Sequence, residues 1–559
     1  MIVLRLYLKE ILLFAYVVKD YQIYLDRISE LGITFNLFAY LFLFVALFFA
    51  LITAAYNKNI FVRFAYAIIF LSAAITIDSY YKITGDYLTY NSFIILMNEK
   101  GFMGEALKQF NQAISSSIIS AIILFVGIII KPQKENKLDK HLINVCPVLT
   151  IVLLTILLYV RGGDGSNGLP GMFTPVVYSS LYFYESINKD VGERQNVNIN
   201  RDTRNITHDI VLIVDESVVA NYLDINETGG IETNLKDSRA QVKIYNYGYA
   251  AAITNCSSPT NVTLRYGGTR ENYLRIITTM PSIWEYAKEA GLITVFIDTQ
   301  RTNGKLQNKM DERELKYIDQ FVQYDDTLVV DRDMYAAKTL VEHLNNEIPE
   351  FIMINKMGAH FPVNDKYPDE YMRYRPVLPR GDFVDISDTG SRKGFGGTAK
   401  DWEMYRNSYK NTLRWNVGRF FEIIFSSAKI ENAIILYTSD HGQDLHETGN
   451  YGTNTHCGSS PNSVEGLVPL VLIEGSKLNT LNWEKHFHSN KNNSSHYNLF
   501  PTLLVLMGYN EKETIAMYGN PLNTETNDPY TFNTRFYARL GKKPIWKKID
   551  MAEVPKPQF

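Results

Sequence analysis

The distribution of apolar residues constrains this chain more than any other feature. Residues 33–55 are almost uninterrupted hydrocarbon, with Leu37-Phe38-Ala39-Tyr40-Leu41-Phe42-Leu43-Phe44 among them. A helix needs about 20 such residues to cross a bilayer. Residues 60–77, 114–130 and 142–160 repeat the pattern, and all precede residue 161. Residues 195–559 have the mixed polarity of a globular protein. A chain of 559 residues exceeds what one core organises. The expectation is a helical membrane domain over 1–161, a linker over 162–205 and a globular domain over 206–559.

A further segment, 4–18, carries Lys9 and Glu10 and reads either as a fifth span or as an interfacial amphipathic helix. About five membrane helices are thus expected. Basic residues set the orientation. Lys58 and Arg63 bracket one turn, and Lys131, Lys134, Lys137 and Lys140 fill another, so both turns should face the cytoplasm. The last span then delivers the globular domain to the outer side. In a Gram-negative cell this is a multi-pass inner-membrane protein with a periplasmic domain. The linker opens with Gly162-Gly163-Asp164-Gly165, and its aromatic stretch over 175–187 suits a helix lying on the membrane surface.

In the globular part, short β-branched runs at 210–214, 292–297, 351–354, 433–437 and 467–473 read as buried strands. Helical patterns at 282–290, 334–345, 405–427 and 498–507 lie between them. Strands alternating with helices indicate an α/β domain with a mostly parallel sheet. In such folds ligands bind beyond the carboxyl ends of the strands. The net charge of -3 argues against nucleic-acid binding through bulk charge.

Chemistry-bearing residues fall at those strand ends. Glu216 follows the first run, His360 the third, and Ser439-Asp440-His441-Gly442 the fourth, with His456 beyond. Asn255-Cys256-Ser257-Ser258-Pro259-Thr260-Asn261 should open a helix, where a hydroxyl meets free N–H groups and the positive end of the dipole. Carboxylate and imidazole ligands suit zinc, which activates a hydroxyl and offsets phosphoryl charge. The assignment is Glu216, Asp440 and His441 as zinc ligands, with Thr260 as both ligand and nucleophile. His360 and His456 would hold the incoming phosphate group, protonate the leaving oxygen or bind a second zinc. Taken singly, each has a plainer explanation: Glu216 as a helix-start carboxylate, Thr260 as an N-cap, the histidines as loop residues.

With these residues in place, the chain resembles the membrane-bound phosphoethanolamine transferases of the alkaline phosphatase/sulfatase superfamily, which modify lipid A and confer colistin resistance. Asp215-Glu216-Ser217 matches their metal glutamate motif, and Cys256-Ser257-Ser258-Pro259-Thr260 matches a Cys-Gly-Thr-x-Thr pattern whose last threonine is the nucleophile. Ser439 to Gly442, His360 with Tyr367-Pro368-Asp369-Glu370-Tyr371, and Ser495-His496-Tyr497-Asn498-Leu499-Phe500 also match. The resemblance implies transfer of phosphoethanolamine from phosphatidylethanolamine to Thr260, then to a sugar hydroxyl of an envelope glycan or glycolipid such as lipopolysaccharide. It implies one zinc, with room for a second. The family's second cysteine after the nucleophile is missing, and only Cys256 and Cys457 lie outside the apolar half. Two cysteines do not define a pair, so a bond between them stays open. The branch is divergent and its acceptor need not be lipid A.

Three rivals share the fold. A sulfatase or phosphodiesterase would use a Cys/Ser-x-Pro-x-Arg signature, which Ser257 to Asn261 meets except at its last position. A phosphoglycerol transferase would keep the metal site and change the head group. A non-catalytic envelope protein would keep only the fold. No segment points to an obligate protein partner, and a monomer is expected.

Overall fold

The computed structural model describes the chain apart from residues 1, 86, 99–102, 105–106, 108–109, 133–139, 189–191, 203–204, 382–394, 450–453, 459 and 539. Lys134 and Lys137 of the proposed cytoplasmic turn lie outside the described residues. Two compact units are present: Met1–Asp190 with Tyr537–Lys543, and Val191–Phe536 with Pro544–Phe559.

The first unit is helical: α1 Ile2–Val18, α2 Tyr21–Leu31, α3 Phe35–Ala55, α4 Ile60–Thr84, α5 Tyr90–Asn98, α6 Asn111–Ile129, α7 Lys140–Val160 and α8 Thr174–Asn188. Among the described residues, four helices are long and apolar enough to cross a membrane: α3, α4, α6 and the 143–160 part of α7. Lys9 and Glu10 of α1 both find partners inside the bundle. Lys9 donates to the carbonyls of Gly127, Ile128 and Ile130 at 2.9, 2.8 and 2.9 Å, capping the end of α6. Glu10 accepts from the Tyr56 hydroxyl.

Part of the expected linker belongs to this unit. Leu169, Met172, Phe173, Val177, Tyr178 and Leu181 are buried in the helical core. Val177, Tyr178 and Leu181 of α8 thus pack into the bundle, while Phe183, Tyr184 and Ile187 of the same helix are exposed. The glycine-rich opening is likewise fixed, with Ser166 bonded to the Tyr178 hydroxyl at 2.7 Å.

The second unit is an α/β domain. Its eight-stranded sheet has the order β4-β3-β5-β1-β6-β7-β2-β8. The strands are β1 Asp209–Asp215, β2 Val242–Ala251, β3 Ile293–Asp298, β4 Gln320–Val322, β5 Glu350–Asn355, β6 Ala433–Ser439, β7 Leu467–Gly475 and β8 Ser494–Ser495. Only β7 runs against the others. Helices α9 Ser257–Tyr266, α10 Ile283–Glu289, α11 Arg332–Leu344, α12 Ala399–Leu413, α13 Phe420–Ser427 and α14 Leu499–Leu506 follow the strands. The central strands are buried on both faces, as their continuous apolar runs require. The sequence reading missed β2. Val242-Lys243-Ile244-Tyr245 alternates, and the register shifts between Asn246 and Tyr249. A search for unbroken apolar runs passes over such a strand.

Candidate active site

The carboxyl ends of β1, β6 and β2 converge on one sheet edge. Val211 of β1 pairs with Ile435 of β6 and Asp215 with Ser439, so Glu216 and Asp440 emerge side by side. The Asp440 N–H donates to the Asp215 carbonyl at 2.8 Å, extending the ladder into the site. The turn is sterically forced at Gly442, where a Cβ would fall 2.0 Å from the Val464 carbonyl. Gly358, at φ +51, has the Asp215 carboxylate and the Glu216 backbone 2.7 Å from where a Cβ would stand.

Glu216, Asp440 and His441 are buried and offer ligand atoms all within 4.8 Å of one another. His441 Nε2 is 3.4 Å from Glu216 Oε1 and 3.6 Å from Asp440 Oδ2. The Gly442 carbonyl, 2.6 Å from His441 Nδ1, can only accept. Nδ1 therefore carries the proton, and Nε2 turns its lone pair to the cluster. Asp440 Oδ1 accepts from the N–H groups of Ser217 and His441 at 3.0 and 2.7 Å. Its Oδ2 is buried and accepts no hydrogen bond. A lone pair, an orphaned carboxylate oxygen and a second carboxylate facing one point fit a divalent cation. Burial, then the nearby Asp440, pushes Glu216 up to about 8, and burial pushes Asp440 to about 6. Burial lowers His441. Burial leads all three shifts, and at Glu216 the neighbouring Asp440 carboxylate adds to it.

Two hydroxyls reach this cluster: Ser217 Oγ donates to Glu216 Oε1 at 2.8 Å, and Ser257 alone also meets His441. Its Oγ is 3.0 Å from His441 Nε2 and 3.3 Å from Glu216 Oε1. Cys256 is the N-cap of α9 and Ser257 its first residue, with Pro259 in the first turn where proline is tolerated. Thr260 lies one turn further in. It is fully buried, and its Oγ1 sits 3.1 Å from Thr254 Oγ1 and 3.4 Å from the Thr254 carbonyl. The expected nucleophile thus has its hydroxyl engaged with Thr254, inside the packing of α9. The signal for Ser257 was present as the first position of Ser257-x-Pro259-x-Asn261. Asn261 occupies the place of the signature arginine, and its Nδ2 donates to the Ser257 carbonyl at 3.1 Å.

The two outer histidines are placed differently. The His456 ring lies 4.3 Å from that of His441, centroid to centroid, tilted by 34°. Cys457, next to it, is disulfide-bonded to Cys256 with the Cα atoms 5.2 Å apart. His360 Nδ1 donates to the Phe361 carbonyl at 2.7 Å, leaving Nε2 with a lone pair. Burial, then Lys366 and Arg301, pushes His360 down to about 3, so it is neutral. Two neighbours were not singled out from sequence. Gln300, past β3, donates to Glu216 Oε2 at 3.2 Å. Lys366 donates to the Pro362 carbonyl at 2.7 Å, and burial pushes its ammonium down to about 7.

Residues 208–509 match the Sulfatase family. The chain belongs to the sulfatase family. A curated relative, the Kdo(2)-lipid A phosphoethanolamine 7''-transferase of Salmonella typhimurium, is 26% identical over 123 residues, which is 22% of this chain and 18% of that protein. The match thus spans under a fifth of that relative. Among solved structures, the lipooligosaccharide phosphoethanolamine transferase A of Neisseria meningitidis is similar over 92% of this chain and 98% of its own, at 14% identity and a TM-score of 0.61. That likeness shows a shared fold, with the helical bundle included. The periplasmic domain of EcEptC from Escherichia coli, a complex with zinc, covers 64% of this chain and 97% of its own at 15% identity and a TM-score of 0.49. The sulfatase-family match begins one residue before β1 and so takes in Glu216, Ser257, Asp440 and His441.

Proposed function

We propose that this sulfatase-family chain is a membrane-anchored phosphoethanolamine transferase that uses Ser257 as its nucleophile. The supporting observation is the position of Ser257 Oγ, 3.0 Å from His441 Nε2 at the first residue of α9. The curated relative and the shared fold support the head group, and the apolar helices suit a lipid donor. When bound by Glu216, Asp440 and His441, a zinc ion supplies charge that favours ionisation of the Ser257 hydroxyl and offsets phosphoryl charge.

In the first half-reaction Ser257 Oγ bonds to the phosphorus of phosphatidylethanolamine as the phosphorus–glycerol oxygen bond breaks. The proton lost from Ser257 balances the one gained by the departing diacylglycerol oxygen, and His456 is placed beside the cluster to relay it. The free N–H groups at the start of α9 face the phosphoryl oxygens. In the second half, a sugar hydroxyl of an envelope glycan or glycolipid attacks the phosphoserine, and Ser257 leaves as it regains a proton. Neutral His360 presents its Nε2 lone pair as the acceptor for that hydroxyl proton. The globular unit then lies on the outer face of an inner membrane.

Intact mass after incubation with phosphatidylethanolamine tests this reading. A gain of one phosphoethanolamine in the wild type and in Thr260→Ala, absent in Ser257→Ala, is expected. A gain that persists in Ser257→Ala and disappears in Thr260→Ala returns the role to Thr260. A second reading follows from the Ser257-x-Pro259 spacing: a hydrolase of sulfate or phosphate diesters. Turnover of soluble aryl esters without any lipid-dependent adduct would favour it.

A further inference from the structure

The helical unit contains a cavity of about 100 Å³ between the end of α1, the start of α2, the end of α4 and the loop 166–174. One water needs about 10–15 Å³ by this measure, so the space admits roughly seven to ten water-sized groups. Lys19, Asp20, Asp78 and Lys82 line it, beside Ile23, Tyr24, Ile77 and Leu169. Lys19 Nζ is 2.8 Å from Asp78 Oδ2 and 3.1 Å from Asp20 Oδ1. Asp78 also accepts from Ser120 at 3.0 Å, and Lys82 donates to Ser116 at 2.9 Å.

The wall opposite is built rather than left over. The Tyr40 hydroxyl donates to the Gly168 carbonyl at 2.6 Å. Gly168 stands at φ +77 with Arg27 packed where a Cβ would go, 2.6 Å away. A lone pair tying α1 to α4 would need one lysine and one aspartate. Here two cations and two anions surround open space, at the end of a helix whose body is hydrocarbon. Charges so placed are costly and mark ligand paths.

We infer that this cavity receives the zwitterionic head group of an aminoalkyl phospholipid, with phosphate toward Lys19 and Lys82 and ammonium toward Asp20 and Asp78. The four side chains sum to zero charge, so a zwitterion leaves the wall balanced. A purely anionic head group, such as phosphatidylglycerol, would bring a phosphate and no counter-ion for the carboxylates. The cavity thereby selects ethanolamine over glycerol. The inference rests on the donor proposed above and names where that donor is first held.

Native mass spectrometry of the full-length Ser257→Ala protein in detergent tests it without any chemistry at Ser257. The added ligands are phosphatidylethanolamine, phosphatidylglycerol and free phosphoethanolamine. Retention of one phosphatidylethanolamine is expected, at least ten-fold over phosphatidylglycerol and over free phosphoethanolamine. Lys19→Ala with Lys82→Ala should cut that retention at least ten-fold. Lys82→Gln alone, at an exposed position, should cut it several-fold even if the double variant folds poorly. Asp20→Asn should narrow the preference for ethanolamine. Equal retention of both lipids, or retention unchanged in Lys82→Gln and the double variant, overturns the inference. Free phosphoethanolamine bound as well as the lipid overturns the lipid source. If lipid is retained here but the wild type never gains mass at Ser257, the transferase reading fails and the cavity stands; the reverse result removes only the cavity.

Discussion

Asp215 and Glu216 are consecutive in the chain and opposite in their surroundings. Asp215 turns under the sheet, where Lys356 Nζ lies 2.9 Å away and the Tyr437 hydroxyl donates at 2.9 Å. Lys356 is itself fully buried, over the Phe420 ring. Glu216 turns outward to Ser217, Ser257 and Gln300. The basic group beside it, His441, shows it a lone pair. Both carboxylates are buried, yet only one has a resident cation. Burial of a carboxylate does not mark a site; burial without a permanent counter-charge does.

The largest expected effect lies on the Glu216 side. Ser257→Ala should lower transfer by about six orders of magnitude, as loss of a nucleophile does, with metal content measured by elemental analysis largely kept. Glu216→Gln should lose both metal and transfer, since a ligand has gone. On the other side, Lys356→Met strands Asp215 without its partner. About 3–5 kcal/mol of stability should vanish in denaturant titration, while the folded fraction still binds metal. If Lys356→Met strips the metal too, the two carboxylates are one system and the contrast fails.

The pH dependence sharpens the same contrast. Glu216 is raised to about 8 and Asp440 to about 6 in the folded protein, against roughly 4 when unfolded. The folded state then holds protons that the unfolded chain has already released. Their contribution to the stability of metal-free protein is therefore full below about pH 4 and is lost as the pH rises towards 8. Added zinc should raise Tm more at pH 8 than at pH 5, and Glu216→Gln should flatten the metal-free slope. A pH-independent Tm for metal-free protein would contradict the charge-deficient picture. The smallest effect belongs to Thr260→Ala, which removes a buried hydroxyl hydrogen bond. It should cost about 1 kcal/mol and leave transfer within a few-fold.

The membrane helices, the parallel sheet and the Ser439-Asp440-His441-Gly442 turn were legible because each is written in local sequence. Continuous apolar runs make spans and buried strands, and a strand end fixes where its next residues point. Ser257 was not separable from Thr260 in that way. They lie three residues apart on one helix, so which hydroxyl faces the cluster depends on where α9 starts, and Cys256 stands at its N-cap. The partners of Lys9 were invisible for a related reason. They are carbonyls more than a hundred residues away on α6, so a charge that reads as a warning against a buried helix is a cap for another one. Lys366 and Gln300 carry no motif and join the site only through the sheet.

The bond between Cys256 and Cys457 joins the residue before Ser257 to the residue after His456, across 201 positions of sequence. Ser257 and His456 therefore belong to separate segments that a single covalent link brings into register. A newly made chain can bury its core and pair its strands while these segments still drift apart. Completion of the site becomes a separate step, one that needs an oxidising environment. On the proposed reading, the same chain held in a reducing compartment would fold without fixing Ser257 and His456 together, and would be idle.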